Sequence, residues 1–499
     1  MAKGNSANQD KNSYAGHAEI LAYLKRTVAD HDLGKNVKLS HQVTEAKWEE
    51  DRARWKVTVT PVGKPEAAFV DYADVVINST GVLNKWKWPN LKGLEKFKNK
   101  THTAAWDHSL DLKDKVVGII GNGSSSVQVT TATHPYVKNQ VIFLRSATWV
   151  TPGFASKFVE IKDGNTNPAY TDEDRKNFRE KPEEHLEYRK AVEAEMNSNF
   201  GIVIRDSPAA NEAAAFARKE MLAGLAKKPE LIEKLIPKDF SIGCRVRHTL
   251  PPFTPLFLYP TLLTEPKKQR PIPNHGYMQC LTSDKTEVTF SGIREVTEEG
   301  IITEDGKLHK LDILVCGTGF DVSYVPRFPI YGTGNVNLQD QWKDSPECYL
   351  SVMVPNFPNY FTVIGPFGPY GHGSIIPAME ALTRHTALVI EKIQKQNIKS
   401  VQPKWEAVEE FKAHRVEYLK RTIWAAPCSA WFKLGPKGEN IMMWPGSRLH
   451  TMEVLLNPRW EDYDYEYLYK NRYSYWGNGF TLDDAGGEGT DKAWYIAGI

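Results

Sequence analysis

The segment KDKVVGIIGNGSSSVQVTTA, residues 113–132, constrains this chain more than any other stretch. It passes from an apolar strand pattern through two glycines into a helical pattern, and NQVIFLRSATWV (139–150) supplies the next strand. Strand, glycine turn, helix and strand make a βαβ unit, whose two strands lie parallel in one sheet. The turn Gly121-Asn122-Gly123-Ser124-Ser125-Ser126, followed by Val127, fits G-x-G-x-x-G/A with a small residue, Ser126, in the third position. Gly121 permits the tight turn, and Gly123 lets the backbone approach a pyrophosphate at the helix N-terminus. The small residue at 126 keeps helix and strand close. Residues 121–127 are therefore the predicted dinucleotide cradle. The following strand ends in Arg145-Ser146. A fold selecting NAD places an acidic residue there, whereas an arginine suits a 2′-phosphate, so NADPH is the expected dinucleotide.

Around this unit the chain reads as α/β. HAEILAYLKRTVADH (17–31) puts Ile20, Leu21, Leu24 and Val28 on one helical face. VKLSHQV (37–43) and RWKVTVTPV (54–62) alternate like strands, and ADVVINSTG (73–81) is an apolar strand ending in a glycine turn. Residues 170–240, rich in Glu, Lys, Arg and Ala, predict two or three charged helices. Strand patterns return at 286–292 and 311–320, and a helix is predicted over 375–396. At 499 residues the chain needs two or three domains. Its net charge of +2 offers no field to recruit nucleic acid or an anionic membrane. No apolar run has the length of a membrane span. The five cysteines (Cys244, Cys280, Cys316, Cys348, Cys428) are scattered and odd in number. That pattern predicts neither a disulfide framework nor a zinc site, and favours a reducing, cytoplasmic setting.

Several segments resemble the Baeyer–Villiger-type flavin monooxygenases. Phe97-x-Asn99-x-x-His102-x-x-x-Trp106-Asp107 is similar to that family's fingerprint, one residue shorter and with Asn for Gly. VIFLRSATWVTP looks like its strand carrying the 2′-phosphate arginine, and CGTGFDVSYVPRFP resembles its A-T-G-F-D linker. WPGSRLH (444–450) and NPRWEDYDYEY (457–467) resemble the subgroup of filamentous-fungal secondary metabolism. The resemblance implies two Rossmann-like domains, FAD and NADPH as cofactors, and O2 plus a small organic molecule as substrates. In that family NADPH reduces FAD, and the reduced flavin activates O2 for insertion beside a ketone carbonyl or into a soft heteroatom. It further implies that His102 and Trp106 lie on the linker handling NADPH and that Val43 meets FAD through its strand backbone. The loop Gly365–Ser374 would flank the flavin ring.

Two departures matter. The family's opening strand–GxGxxG–helix for FAD is not found in these residues, so the sequence is expected to be truncated at its N-terminus and its FAD domain incomplete. The family's G-C-R-R-P segment appears as Gly243-Cys244-Arg245, then Val246. Arg270-Pro271 resumes the pattern as though nothing intervened. Residues 246–269 are rich in proline and have little helical or strand logic, and their ends can be encoded by splice signals. We read them as a retained intron. Arg270 then takes the place of the family's catalytic arginine, whose permanent charge stabilises negative charge on the activated oxygen. The expected division is 1–101 (partial FAD domain), 102–315 (NADPH domain with a helical insertion at about 165–240) and 316–499 (rest of the FAD domain and a C-terminal extension). Two other classes stay open on this scaffold: a flavin-free cyclase or isomerase, and a non-catalytic nucleotide-binding protein.

Overall fold

The structure, a computed structural model, describes residues 15–151, 169–243, 246–248, 275–371, 373–428, 430–434, 438–487 and 489–497. His17–Asp30 forms the first helix (α1). Its apolar residues share a face as expected, and on that face Leu21, Leu24 and Val28 stay exposed, Leu24 at 52%. Periodicity specifies the helix, not what packs on it.

His41–Glu49 (β1) and Arg54–Pro61 (β2) form an antiparallel hairpin, and Phe69–Ala73 (β3) pairs along β2. Trp48 and Trp55 meet across the hairpin with ring centroids 5.6 Å apart. The Trp55 indole is fully buried and donates to Pro358 O at 2.9 Å, pinning the sheet to distant sequence. The strand expected at 37–43 begins instead at His41. Ser40 adopts φ 57 and its carbonyl accepts from Val62 N, which closes the hairpin there. The apolar stretch 73–81 contributes a short strand, Val76–Asn78 (β4).

The second sheet is the predicted parallel one. Lys100–His102 (β5), Val116–Ile120 (β6), Asn139–Phe143 (β7), Thr286–Thr289 (β10) and Ile313–Cys316 (β14) lie in the order β10-β7-β6-β14-β5, with every pairing parallel. Ser124–Thr133 (α2) connects β6 to β7. Val117, Ile119 and Ile142 are wholly buried against α2's Val127 and Val129. Each such side chain contributes about 1.5–3 kcal/mol on burial. Between β7 and β10 come Trp149–Thr151 (β8) and Val246–His248 (β9), which pair in parallel. The run 139–150 is thus two strands, broken at Leu144–Thr148. The first residues of the segment read as lacking strand logic do form a strand. Three residues suffice when a neighbour offers its edge. After β10, Ile293–Val296 (β11), Gly300–Thr303 (β12) and Leu308–Lys310 (β13) make an antiparallel meander that the sequence reading did not anticipate.

Between β8 and β9 lie the charged helices Asp172–Glu180 (α3), Pro182–Ser198 (α4) and Pro208–Gly224 (α5), with the short Ile232–Leu235 (α6). Beyond the parallel sheet the chain returns to its first part. Ile330–Tyr331 (β15) pairs in parallel with β1, and Tyr360–Thr362 (β16) with β4. The helix Ile375–Lys395 follows, one residue short of expectation. The architecture is α/β, with the parallel sheet inserted into another domain whose strands come from both ends of the chain. Among the described residues no helix is long and apolar enough to cross a membrane.

Cys280, Cys316 and Cys348 are buried free thiols, and burial pushes each up to about 12. Cys428 is disulfide-bonded.

Candidate dinucleotide and flavin site

Strand order places the glycine turn where a ligand belongs. β6 sits between β7 and β14, so the chain leaves β6 to one side, and the neighbour on its other side arrives much later. Such a switch point opens a crevice at the carboxyl ends of the strands. Gly121, directly after β6, has φ +119, and a Cβ there would lie 2.5 Å from Gly317 O, at the end of β14. Only glycine fits. Ser126 is buried and its hydroxyl donates to Gly317 O at 3.3 Å. A Cβ on Gly317 would meet that hydroxyl at 1.9 Å. The small third residue therefore packs α2 against β14, and Gly317 is its counterpart. Sequence reasoning overlooked Gly317, although C-G-T-G after a buried strand was its signal.

Gly123 is different. It is the helix N-cap, with extended backbone and no side-chain cap. A Cβ there would find nothing nearer than Gly317 O at 3.9 Å. The space above it is open to a ligand, and the first-turn amides of Ser124, Ser125 and Ser126 have no carbonyl partner within the helix. Amides and helix dipole together suit an anionic phosphate. These residues fit a dinucleotide's pyrophosphate.

Asn122 is buried beneath the turn. Its amide donates to Ser146 O at 3.1 Å, and its carbonyl accepts from the buried Tyr277 hydroxyl at 3.2 Å. One side chain thus ties the phosphate turn to the segment after β7 and to the helix His275–Thr282 (α7). Arg145 is exposed at the end of β7, beside Ser146. The predicted set 121–127, 145 and 146 therefore converges, with Val127 facing into the core rather than the crevice. Tyr277 joins the set unforeseen.

His102 ends β5 and is fully buried. Its ring stacks on Trp86 with centroids 4.7 Å apart and meets Trp88 edge-on. Ala104 N donates to Nδ1 at 3.1 Å, so the neutral ring carries its proton on Nε2 and donates to Thr318 Oγ1 at 3.2 Å. Burial lowers its pKa below the ordinary histidine value. Trp86 also bridges to Phe320. His102 thus clamps the two crossover segments that join the sheets. Trp106, four residues further on, is buried in the core of the parallel sheet.

A second cavity of about 510 Å³ lies between β1 and the β4/β16 pair. Val43, Asn78, Thr80, Gly81, Gly365 and Pro366 line it, so Val43 and two glycine-bearing segments far apart in sequence share one wall. Asn78 Oδ1 accepts from Thr80 N (3.1 Å) and Oγ1 (2.8 Å), and Asn84 Nδ2 donates to Gly81 O at 2.7 Å, which sets the turn. The apolar walls and exposed backbone fit the ring and ribose parts of FAD. Among the described residues no glycine-opened helix lines this cavity, so its pyrophosphate finds no cradle there.

The Gly365–Ser374 loop rests on two buried arginines. The Arg415 guanidinium lies 3.7 Å from the Phe367 ring centroid. Arg448, 2% exposed, donates to Ser374 O at 2.8 Å and to Asn197 Oδ1 at 2.7 Å, and pairs with Glu193. A Cβ on Gly373 would sit 2.6 Å from the Arg448 guanidinium carbon. Arg270 lies outside the described residues, as does all of 246–269 beyond β9.

Comparison with known proteins agrees with this geometry. A family model described as FMO-like, flavin-binding monooxygenase-like, matches residues 6–157. FAD-binding monooxygenase tazF of Aspergillus terreus is 34% identical over 97% of this chain and 81% of its own length. A Baeyer–Villiger monooxygenase of Pseudooceanicola batsensis is 30% identical over 86% of this chain and 76% of its own. The crystal structure of cyclohexanone monooxygenase from Rhodococcus sp. Phi1 bound to NADP+ superposes with a TM-score of 0.72 at 25% identity. That match covers 92% of this chain and 86% of that one. Similarity over nearly the whole chain, joined to a phosphate turn at the switch point of the parallel sheet, establishes that this chain belongs to the flavin-binding monooxygenase family that includes the Baeyer–Villiger enzymes.

Proposed function

We propose that this chain is an NADPH- and FAD-dependent monooxygenase that places one oxygen atom of O2 beside the carbonyl of a ketone, giving an ester or lactone. The observation that carries this reading is the open space over Gly123 at the mouth of α2, facing Gly317 across the strand-order switch. The first-turn amides of residues 124–126 would hold the NADPH pyrophosphate, with Asn122 holding the turn in place. Arg145 reaches the 2′-phosphate. His102 and Trp106 belong to the linker, where the neutral His102 ring fixes the relation of the two sheets. FAD, when bound, supplies hydride acceptance and O2 activation. The cavity at Val43 and Gly81 would hold its ring and ribose parts, and Arg270 would supply a permanent positive charge there.

We further infer that 1–101, 102–315 and 316–499 are the working units of the chain. Residues 246–269 are a retained intron, so that Arg245 adjoins Arg270 in the mature protein. A role in secondary metabolism rests on the likeness of the C-terminal segments. The proposed location is the cytoplasm, where NADPH is kept reduced.

Fluorescence titration of the purified protein with NADPH tests the reading. A saturable signal that Gly123→Val abolishes is expected, and a flat titration sinks it. With FAD loaded, NADPH oxidation that depends on an added ketone separates the oxygenase from a nucleotide-binding scaffold.

A further inference from the structure

The helix Trp405–Leu419 turns Val408, Phe411, Arg415 and Leu419 to one side, at the helical spacing that makes an apolar face. Arginine breaks that stripe. Arg415 is 1% exposed, as buried as its apolar neighbours. Burial pulls its pKa down to about 10, with Glu439 and Glu347 acting in the other direction, so the guanidinium is still charged at neutral pH. A charge taken out of water needs acceptors for its hydrogens and a counter-charge.

The protein supplies only part of this. One face of the guanidinium covers the Phe367 ring, 3.7 Å from its centroid, and Nη1 donates to Asn440 O at 2.6 Å. Nε and Nη2, both buried, have no hydrogen-bond partner among the described residues. Those two nitrogens form one edge of the guanidinium, whose parallel N–H bonds suit a bidentate grip on an anion. Asn440 behaves alike: Oδ1 accepts from Met442 N at 3.1 Å and Met443 N at 2.9 Å, whereas Nδ2 is buried without an acceptor. Glu347 is committed to Lys412 at 2.5 Å, and Glu439 is exposed. A water molecule accepts from the fork but leaves the charge uncompensated. An anion does both. The flavin cavity is lined by Ile364, Gly365 and Pro366 but not by Arg415, so the occupant is a compact ion rather than part of a cofactor.

We propose that the Nε–Nη2 edge of Arg415 holds a small monoanion of the halide class, behind the loop that flanks the flavin cavity. Phe367 N donates to Ile441 O at 3.1 Å and Trp444 N to Gly368 O at 3.0 Å, so residues 440–444 and the loop make one wall. The ion fixes the arginine on which both rest. This assignment uses no cofactor and stands apart from the oxygenase reading.

Thermal melts of the protein as made, in sodium chloride and in sodium gluconate at equal ionic strength, test it, since gluconate is too large for a buried fork. Chloride is expected to raise the midpoint by about 1–3 °C and to saturate, as binding at one folded-state site does. The chlorine NMR line of dilute chloride should broaden on adding protein and sharpen again with excess bromide. Arg415→Met keeps a long side chain without the charge, and should melt alike in the two salts. Arg415→Lys keeps the charge but loses the fork, and should weaken chloride about tenfold. If the methionine variant does not fold, the lysine variant and the parent's two-salt comparison decide. Equal midpoints in the two salts with no line broadening mean that water fills the space, and overturn the proposal. A chloride response that survives Arg415→Met belongs elsewhere, as at the amides of the phosphate turn, and overturns it too.

Discussion

At the scale of single residues, the two glycines of the phosphate turn have opposite jobs, and substitution separates them. Gly121→Ala pushes a Cβ toward Gly317 O from a left-handed backbone, so it should destabilise the fold by ~1–3 kcal/mol, read from a denaturant melt. Gly123→Val has room in the protein, so the melt should hardly move while NADPH binding is lost. A large drop in stability for Gly123→Val would show that this space belongs to the fold. Arg145→Ala should weaken NADPH roughly tenfold to a hundredfold, the loss expected for a charge-assisted bond to phosphate, and leave NADH unaffected. Equal loss for both nucleotides would take the arginine out of the 2′-phosphate role. The turn itself was legible because its chemistry is local: each glycine answers to neighbours within a few positions. Gly317 and Tyr277 were not legible as partners. Gly317 lies nearly 200 residues beyond Gly121, and a pattern of spacing holds no trace of such a meeting.

At the scale of elements, the Tyr277 hydroxyl of α7 donates to Asn122 in the phosphate turn. Tyr277→Phe should cost ~1 kcal/mol and loosen NADPH binding by a few-fold, since Asn122 loses the bond that fixes its amide plane. Unchanged NADPH affinity would mean that the Tyr277 bond does not orient Asn122. The strand β5 carries a pH dependence. His102 is buried and its pKa is lowered, as is that of His385, which bonds Leu455 O and the Tyr463 hydroxyl. In the unfolded chain both rings take up protons near 6.5, but in the folded chain only at lower pH. The unfolded state therefore binds more protons in that window, and stability should fall as pH drops below about 6.5. His102→Asn should flatten part of this slope in thermal melts at graded pH. A slope identical to that of the parent protein would contradict the assignment. Helices and core strands were readable because their apolar period is fixed by geometry. The edges of strands were not, as with the hairpin that opens at His41, where a turn rather than a propensity decides.

At the scale of the whole molecule, the retained-intron reading makes a prediction outside protein chemistry. Transcripts joining the codon of Arg245 to that of Arg270 are expected, and transcripts that all read through 246–269 would refute it. The α/β class and the family were legible because several motifs recur in order. The pairing of the first strands with the last was not, because nothing in β1 or β4 announces that β15 and β16 lie some 280 residues downstream.

That pairing has a consequence for biosynthesis. β4 finds its neighbour only when Tyr360–Thr362 exists, and Trp55 finds its acceptor only at Pro358. As the ribosome extends the nascent chain, the inserted parallel sheet completes first, at Cys316. The hairpin that precedes it must wait, with one face exposed, for most of translation. Slow synthesis or a shortage of chaperones should therefore harm this amino-terminal portion before any other part.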